Sequence, residues 1–118
     1  MSKVRIWHNP RCGKSREALK FLEEEGIDAE VIKYLDAPHT KDEITTLVKM
    51  LKIKSAGDLM RTKESIYKEL NLKDEKDEEK LIEAMIKYPK LIERPIVIKG
   101  TKAVIGRPLE KIVDFIRG

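Results

Sequence analysis

The order of apolar and amphipathic stretches in the first 34 residues restricts the fold more than any other part of the chain. Residues 4–7, Val-Arg-Ile-Trp, alternate in the way a β-strand does. Apolar residues then recur at helical spacing from Ser15 to Gly26, a residue type common at helix ends, and residues 27–34 again have strand character. A strand, a helix and a strand joined by short links form a βαβ unit, so we expect parallel strands with a right-handed crossover, the first strand being central.

The turn between the first strand and this helix carries the only cysteine of the chain, Cys12. The first N–H groups of a helix lack internal partners and bear partial positive charge, so they favour a thiolate, the reactive form of cysteine. Arg11, Lys14 and Arg16 add positive charge. A lone cysteine is most often buried and inert, but this cationic turn favours a reactive thiol in a place that also receives oxyanions.

His8 precedes Cys12 in the same turn and allows two interpretations. Because a histidine titrates near neutral pH, it could accept a proton from the thiol or act as its electrostatic partner. Alternatively, His8 could simply end the first strand without a part in the chemistry. The residue types do not decide between these interpretations.

The composition indicates one highly charged globular domain over residues 1–118, because 39% of the residues are charged and 41% are hydrophobic. The net charge of +4 suits a small anionic substrate and is too weak to indicate nucleic acid binding. One cysteine fits a reducing compartment, no apolar run is long enough for a membrane span, and the first strand leaves no room for a signal peptide. We therefore expect a cytoplasmic protein with no nucleic acid or membrane partner.

The middle of the chain, residues 40–90, predicts only helices. The stretch from Thr40 to Glu43 has the form of a capping box, and apolar residues follow at helical spacing. Strand character returns at residues 95–99 and 103–105 as an antiparallel hairpin, before a last amphipathic helix. This order predicts an α/β, thioredoxin-like fold with a mixed four-stranded sheet and an inserted all-helical block.

A proline opens the third predicted strand, at the place where the thioredoxin-like plan has a proline facing the cysteine. Pro95 occupies that place. Bonds before proline are the only peptide bonds that take the cis form at tolerable cost, and a cis bond here would turn the preceding backbone toward the active site. We therefore expect Pro95 to be cis, with a trans proline at a strand edge as the alternative.

Five short segments carry a more specific signal. They are His-Asn-Pro-x-Cys-Gly-x-Ser-Arg around Cys12, Tyr34-Leu35 with Pro38, Arg61 after Asp58-Leu59-Met60, Glu93-Arg94-Pro95-Ile96-Val97, and Gly106-Arg107-Pro108. In this order and spacing the set resembles the glutaredoxin-dependent arsenate reductases of the ArsC type, over essentially the whole chain. In that family a cysteine and three arginines form the arsenate site. The resemblance implies that these residues are Cys12, Arg61, Arg94 and Arg107, with Gly13 and Ser15 as further substrate-binding residues and His8 beside the catalytic cysteine.

The resemblance also implies a reaction, the thiol-dependent reduction of arsenate to arsenite. The Cys12 thiolate would attack arsenic, glutathione would add to the adduct as co-substrate, and glutaredoxin would resolve the mixed species by thiol exchange. No second cysteine is present to do this internally. The planar, permanently charged guanidinium of arginine suits a tetrahedral oxyanion with roughly two negative charges. We expect a monomer that binds arsenate or another small oxyanion, with no metal and no tightly bound cofactor.

Two other functions stay open at this point. Spx-like regulators belong to the same family, bind RNA polymerase and usually carry Cys-x-x-Cys, whereas this chain has Ser15 at the fourth position, which argues against the redox-switched form. The other alternative is a glutathione-linked thiol oxidoreductase without arsenate activity. For that reaction Arg61 would be largely dispensable.

Overall fold

The computed structural model describes residues 3–36, 39–106 and 109–117. The chain forms two compact units, one of Met1–Asp36 with Arg94–Gly118 and the other of Ala37–Glu93. The first unit holds the β-sheet and the second is built from helices. The prediction of one domain over the whole chain stays a prediction.

The first unit contains a mixed four-stranded sheet. Its strands are β1 (Val4–Trp7), β2 (Glu30–Ile32), β3 (Ile96–Lys99) and β4 (Lys102–Ile105), and their order across the sheet is β2-β1-β3-β4. Strand β1 runs parallel to β2 and antiparallel to β3, and β3 and β4 form the antiparallel hairpin. The predicted fold class, an α/β thioredoxin-like fold with a central first strand, is confirmed.

The register of β1 determines which segments meet at its carboxyl end. Trp7 pairs with Ile32 of β2 on one side and with Ile96 of β3 on the other. The residues just after β2 and just before β3 therefore flank the segment that leaves β1. Since that segment leads to Cys12, the site predicted from the sequence lies at this end of the sheet.

Two helices of the first unit, α1 (Gly13–Glu24) and α5 (Glu110–Arg117), share one hydrophobic core with the sheet. The buried members of this core are Val4, Ile6, Ala18, Leu22, Val97 and Ile112. Burying one aliphatic side chain of this size contributes about 1.5–3 kcal/mol relative to leaving it exposed. This shared core holds β1, which precedes the Cys12 turn, and α1, which follows it, in fixed positions relative to each other.

Two predicted elements of this unit differ from the observed ones. Helix α1 begins at Gly13 rather than Ser15, because Cys12 has extended backbone angles and acts as the N-cap residue. The second strand is three residues long rather than the eight predicted, because β1 offers it only the partners Arg5 to Trp7. Beyond Ile32 the chain turns, and the Asp36 N–H donates to the Lys33 carbonyl at 3.0 Å.

The second unit contains the predicted helices. They are α2 (Lys41–Leu51), α3 (Ser65–Glu69) and α4 (Glu78–Lys87), with short 3₁₀ turns at Ala56–Leu59, Leu72–Asp74 and Pro89–Leu91. Both hydrogen bonds of the capping box predicted at Thr40 and Glu43 are present at the start of α2. The Thr40 side chain accepts from the Glu43 N–H, and the Glu43 side chain accepts from the Thr40 N–H. Among the described residues, no helix is long and apolar enough to cross a membrane.

Gly106, which follows β4, has no room for a side chain. A Cβ built there would lie 2.2 Å from Cδ1 of the fully buried Ile112 and 3.0 Å from Cγ of Pro95. Since Ile112 belongs to the core, we expect Gly106→Ala to lower the free energy of unfolding by about 1–3 kcal/mol, as overpacking does. Urea denaturation measures this loss.

The matched control for that substitution is Gly57→Ala. A Cβ at Gly57 would lie 3.5 Å from the Ser55 hydroxyl, which is an ordinary contact distance. We expect little change in stability there. Equal losses in the two variants would contradict the steric explanation for Gly106.

Candidate active site

The turn between β1 and α1 is shaped by Asn9. Its side-chain oxygen accepts a hydrogen bond from the Arg11 N–H at 3.0 Å, and its carbonyl accepts one from the Cys12 N–H at 3.0 Å. Asparagine is favoured at such positions because its side chain can replace a backbone partner in a tight turn. The turn places the half-buried Cys12 at the N-terminal end of α1.

The surroundings of Cys12 favour its thiolate. Partial burial alone would raise the pKa of the thiol, but the N–H of Ser15, the guanidinium of Arg94 and the N–H of Lys14 together outweigh it. The pKa of Cys12 is therefore lowered below that of an ordinary thiol. The result is the increased thiolate fraction that a nucleophilic cysteine needs near neutral pH.

Arg94 approaches Cys12 from the start of β3. Burial would lower the pKa of the guanidinium, but its interactions with Cys12 and Tyr34 raise that pKa overall, so Arg94 keeps its charge. The Arg94–Pro95 peptide bond is cis, as expected from the sequence. The structure thus brings together Cys12 and Arg94, two of the residues singled out in the sequence.

Ser15 ties α1 to the end of β1. Its fully buried hydroxyl lies 2.6 Å from Nδ1 of His8 and accepts a hydrogen bond from the Asn9 N–H at 3.0 Å. The hydroxyl is therefore occupied within the turn, while the N–H of the same residue faces Cys12. Gly13 is exposed at the first residue of α1. Direct contact of Gly13 and Ser15 with a substrate stays a prediction.

His8 is buried, and burial favours a neutral imidazole. Burial and the positive charges of Lys33 and Arg16 lower the pKa of His8, against the opposing effect of the Ser15 hydrogen bond. Its ordinary pKa is 6.5, so His8 is mostly neutral at pH 7. Of the two chemical roles considered for it, a proton acceptor fits this state better than a charged partner of the thiolate.

The lowered pKa of His8 predicts how stability depends on pH. Below pH 6.5 the unfolded chain takes up a proton at this histidine more readily than the folded chain does. The free energy of unfolding should therefore fall as the pH decreases through 6.5 and level off below the folded-state pKa. Urea denaturation between about pH 8 and pH 5 measures this slope. His8→Gln should reduce it, and an unchanged slope would contradict the assigned environment of His8.

Arg61 lies in the second unit, where it is paired with acidic residues. Its backbone N–H donates to the Leu91 carbonyl at 2.7 Å. Its guanidinium forms an ion pair with Glu64, and its Nε lies 3.9 Å from a Glu93 carboxylate oxygen. The predicted contact of Arg61 with arsenate stays a prediction. Arg107 lies outside the described residues, and its role also stays a prediction.

Tyr34 is the residue at this site that the sequence interpretation did not assign. It is fully buried, and its ring stacks on Trp7 with centroids 5.9 Å apart and planes 19° apart. A tyrosine just beyond a strand that is parallel to β1 could have been recognised as a neighbour of the cysteine turn. In the part of the chain that the structure describes, no three His, Cys, Asp or Glu side chains are grouped so that they could hold a metal ion.

Comparisons with known proteins identify similar chains. Residues 7–115 match the model of the ArsC family. The uncharacterized protein YfgD of Escherichia coli K12 is 51% identical over 114 residues, which are 96% of each chain. An arsenate reductase of Neisseria meningitidis serogroup A is 49% identical over 113 residues, 95% of this chain and 97% of its own. The solved structure of an arsenate reductase from Vibrio cholerae has a TM-score of 0.92 at 45% identity and covers 96% of this chain and 97% of its own.

Proposed function

The chain belongs to the ArsC family, and from this we propose that it reduces arsenate to arsenite through a covalent adduct on Cys12. The observation that carries the proposal is the placement of the Cys12 thiol at the start of α1, hydrogen-bonded to the Arg94 guanidinium. Curated relatives nearly half identical over almost the whole chain are named arsenate reductases. The proposal therefore rests on both the family and the chemistry of the turn.

The first step is oxyanion binding. Backbone N–H groups at the start of a helix and a guanidinium are the donors that a tetrahedral dianion prefers. Lys14, Ser15 and Arg94 offer such donors around the sulfur of Cys12. Arg61 and Arg107 are proposed as the further arsenate-binding cations on the strength of the resemblance alone.

The second step is attack of the thiolate on arsenic. A sulfur–arsenic bond forms, and one arsenate oxygen leaves as water with protons from the arsenate itself and from the solvent. Arsenic stays pentavalent in this adduct. The lowered pKa of Cys12 increases the fraction of chains that can react near neutral pH.

The third step supplies two electrons from external thiols. Glutathione replaces a second oxygen of the adduct, again with release of water. A glutaredoxin thiolate then attacks the glutathione sulfur, forms a mixed disulfide with it and leaves the electron pair of the broken bond on arsenic. Hydrolysis of the remaining sulfur–arsenic bond releases arsenite and restores the Cys12 thiol. An external donor suits this chain because Cys12 is its only cysteine.

One observation favours a second candidate function, a glutathione-linked thiol oxidoreductase without arsenate activity. Arg61 is engaged by Glu64 and Glu93, and an arginine neutralised by two carboxylates is a poorer anion ligand. In this alternative the same Cys12 thiolate would exchange with a glutathionylated substrate. The two functions differ in their need for arsenate and for Arg61.

The test is a coupled assay that follows NADPH consumption with arsenate, glutathione, glutaredoxin and glutathione reductase. Leaving out each component in turn should abolish turnover, and replacing arsenate by phosphate should abolish it as well. Turnover with thioredoxin and thioredoxin reductase, but not with glutaredoxin, would keep arsenate reduction and overturn the proposed donor. Reduction of a glutathionylated substrate without any arsenate turnover would establish the alternative function.

A further inference from the structure

Tyr34 differs from the other two tyrosines of the chain in being completely buried, whereas Tyr67 and Tyr88 are half-buried. Its backbone is fixed at the carboxyl end of β2. The N–H of Tyr34 donates to the Ile32 carbonyl at 3.0 Å, and the N–H of His8 donates to the same oxygen at 2.8 Å. One carbonyl group therefore fixes the backbone of Tyr34 relative to the segment that leads to Cys12.

The ring of Tyr34 is fixed as well. It stacks on Trp7, which is itself almost fully buried at the end of β1. Stacked aromatic pairs contribute beyond the area that they bury and restrict the rotation of both rings. The direction of the Tyr34 hydroxyl is consequently determined by the end of the sheet rather than by solvent.

Tyr34 interacts electrostatically with the Arg94 guanidinium, which also interacts with Cys12. Tyr34 and Arg94 occupy equivalent places on the two sides of β1. Tyr34 lies two residues beyond Ile32, Arg94 lies two residues before Ile96, and both of these strand residues pair with Trp7. All these contacts lie within the first unit.

We propose that Tyr34 is a positioning residue of this site, whose stacked ring and hydroxyl hold the Arg94 guanidinium against the sulfur of Cys12. An arginine side chain has many rotamers. Because Tyr34 is a second fixed partner beside Cys12, Arg94 loses less conformational entropy when its guanidinium binds an anion. The consequence for the resting protein is a larger thiolate fraction at Cys12. The consequence for arsenate binding rests on the proposed function.

The discriminating variant is Tyr34→Phe, which keeps the ring and its stacking on Trp7 and removes only the hydroxyl. We expect alkylation of Cys12 by iodoacetamide to be about three- to tenfold slower at pH 7, because the polar group that positions the charged Arg94 guanidinium is lost. The pH profile of alkylation should move to higher pH. Tyr88→Phe, at a half-buried tyrosine of the second unit, is the matched control and should behave as wild type.

A double-mutant cycle tests whether Tyr34 acts through Arg94. In the Arg94→Met background, Tyr34→Phe should cause no further shift of the alkylation profile, because the group that it positions is gone. A full additional shift in that background would overturn the proposal. So would a wild-type profile for Tyr34→Phe in a chain whose unfolding transition is normal.

If Tyr34→Phe alone fails to fold, the double variant decides the question. Restored folding in Arg94→Met/Tyr34→Phe would support the proposal, since the half-buried guanidinium left without its partner would be the cause. An unfolded double variant would overturn it, since the hydroxyl would then serve the fold independently of Arg94. Alkylation needs no arsenate, so these outcomes hold whether or not the chain turns arsenate over. If it does, Tyr34→Phe should raise the KM for arsenate by about five- to tenfold.

Discussion

We expect Cys12→Ser to lower arsenate turnover by more than about a thousandfold, the range typical of losing a nucleophile. The substitution replaces sulfur by oxygen at the N-cap of α1 and changes little else, since serine is itself a good N-cap residue. A serine hydroxyl is a far weaker nucleophile than a thiolate at neutral pH. No other cysteine in the chain can take over, because Cys12 is the only one.

The measurement is the coupled NADPH assay, with protein folding verified by urea denaturation. Ser65→Ala, at an exposed serine of α3, is a control for a small change elsewhere and should keep wild-type turnover. Arsenate binding to Cys12→Ser, measured by calorimetry, should persist, because the helix N–H groups and Arg94 are unchanged. Turnover within tenfold of wild type would remove Cys12 from the chemistry.

We expect Arg94→Lys to lower kcat/KM for arsenate by about ten- to a hundredfold, although the charge is retained. Lysine places its charge at a single point on a flexible stem and lacks the planar fork. It cannot contact Cys12, Tyr34 and an oxyanion together in the way a guanidinium can. We also expect alkylation of Cys12 to move to higher pH, because a hydrogen bond that lowers the pKa of the thiol is weakened.

The matched control for this substitution is Arg117→Lys, at a surface arginine of the same unit that pairs with Glu25. Its guanidinium lies over the Phe21 ring, away from the turn that holds Cys12. We expect no change in kcat/KM for that variant. Wild-type kinetics for Arg94→Lys would show that charge alone is sufficient at this position.

Local patterns were enough to predict the elements that hold the site. The strand at Val4–Trp7 has the predicted bounds, and the capping box at Thr40 forms as expected, because both depend on neighbouring residues. The βαβ order implied a parallel pair with a central first strand. Arg94 was expected near Cys12 from the resemblance to the ArsC type, and its place before the proline that opens the third strand supported that expectation.

The remaining features depend on residues that meet only after folding. The carboxylate of Glu78 accepts hydrogen bonds from the Ser55 hydroxyl at 2.6 Å and from the Ala56 N–H at 2.8 Å. These residues are too far apart in sequence for a helical or strand pattern to predict the contact. The same holds for the Arg61–Glu93 ion pair. The second strand is short because its partner strand is short, which its own sequence does not reveal. The role proposed for Tyr34 required the observed stacking on Trp7.

Because Trp7 stacks on Tyr34, the intrinsic fluorescence of Trp7 can report on changes at the site. Trp7 is the only tryptophan of the chain. Excitation at the long-wavelength end of the aromatic absorption band therefore selects this one indole, which stacks on Tyr34 beside the site. Its emission depends on the charge and packing around the ring. Anion occupancy and modification of the thiol should both change it, without a dye or a label. Stopped-flow fluorescence can therefore separate the formation of the proposed Cys12 adduct from the proposed thiol exchange, in the unmodified wild-type chain.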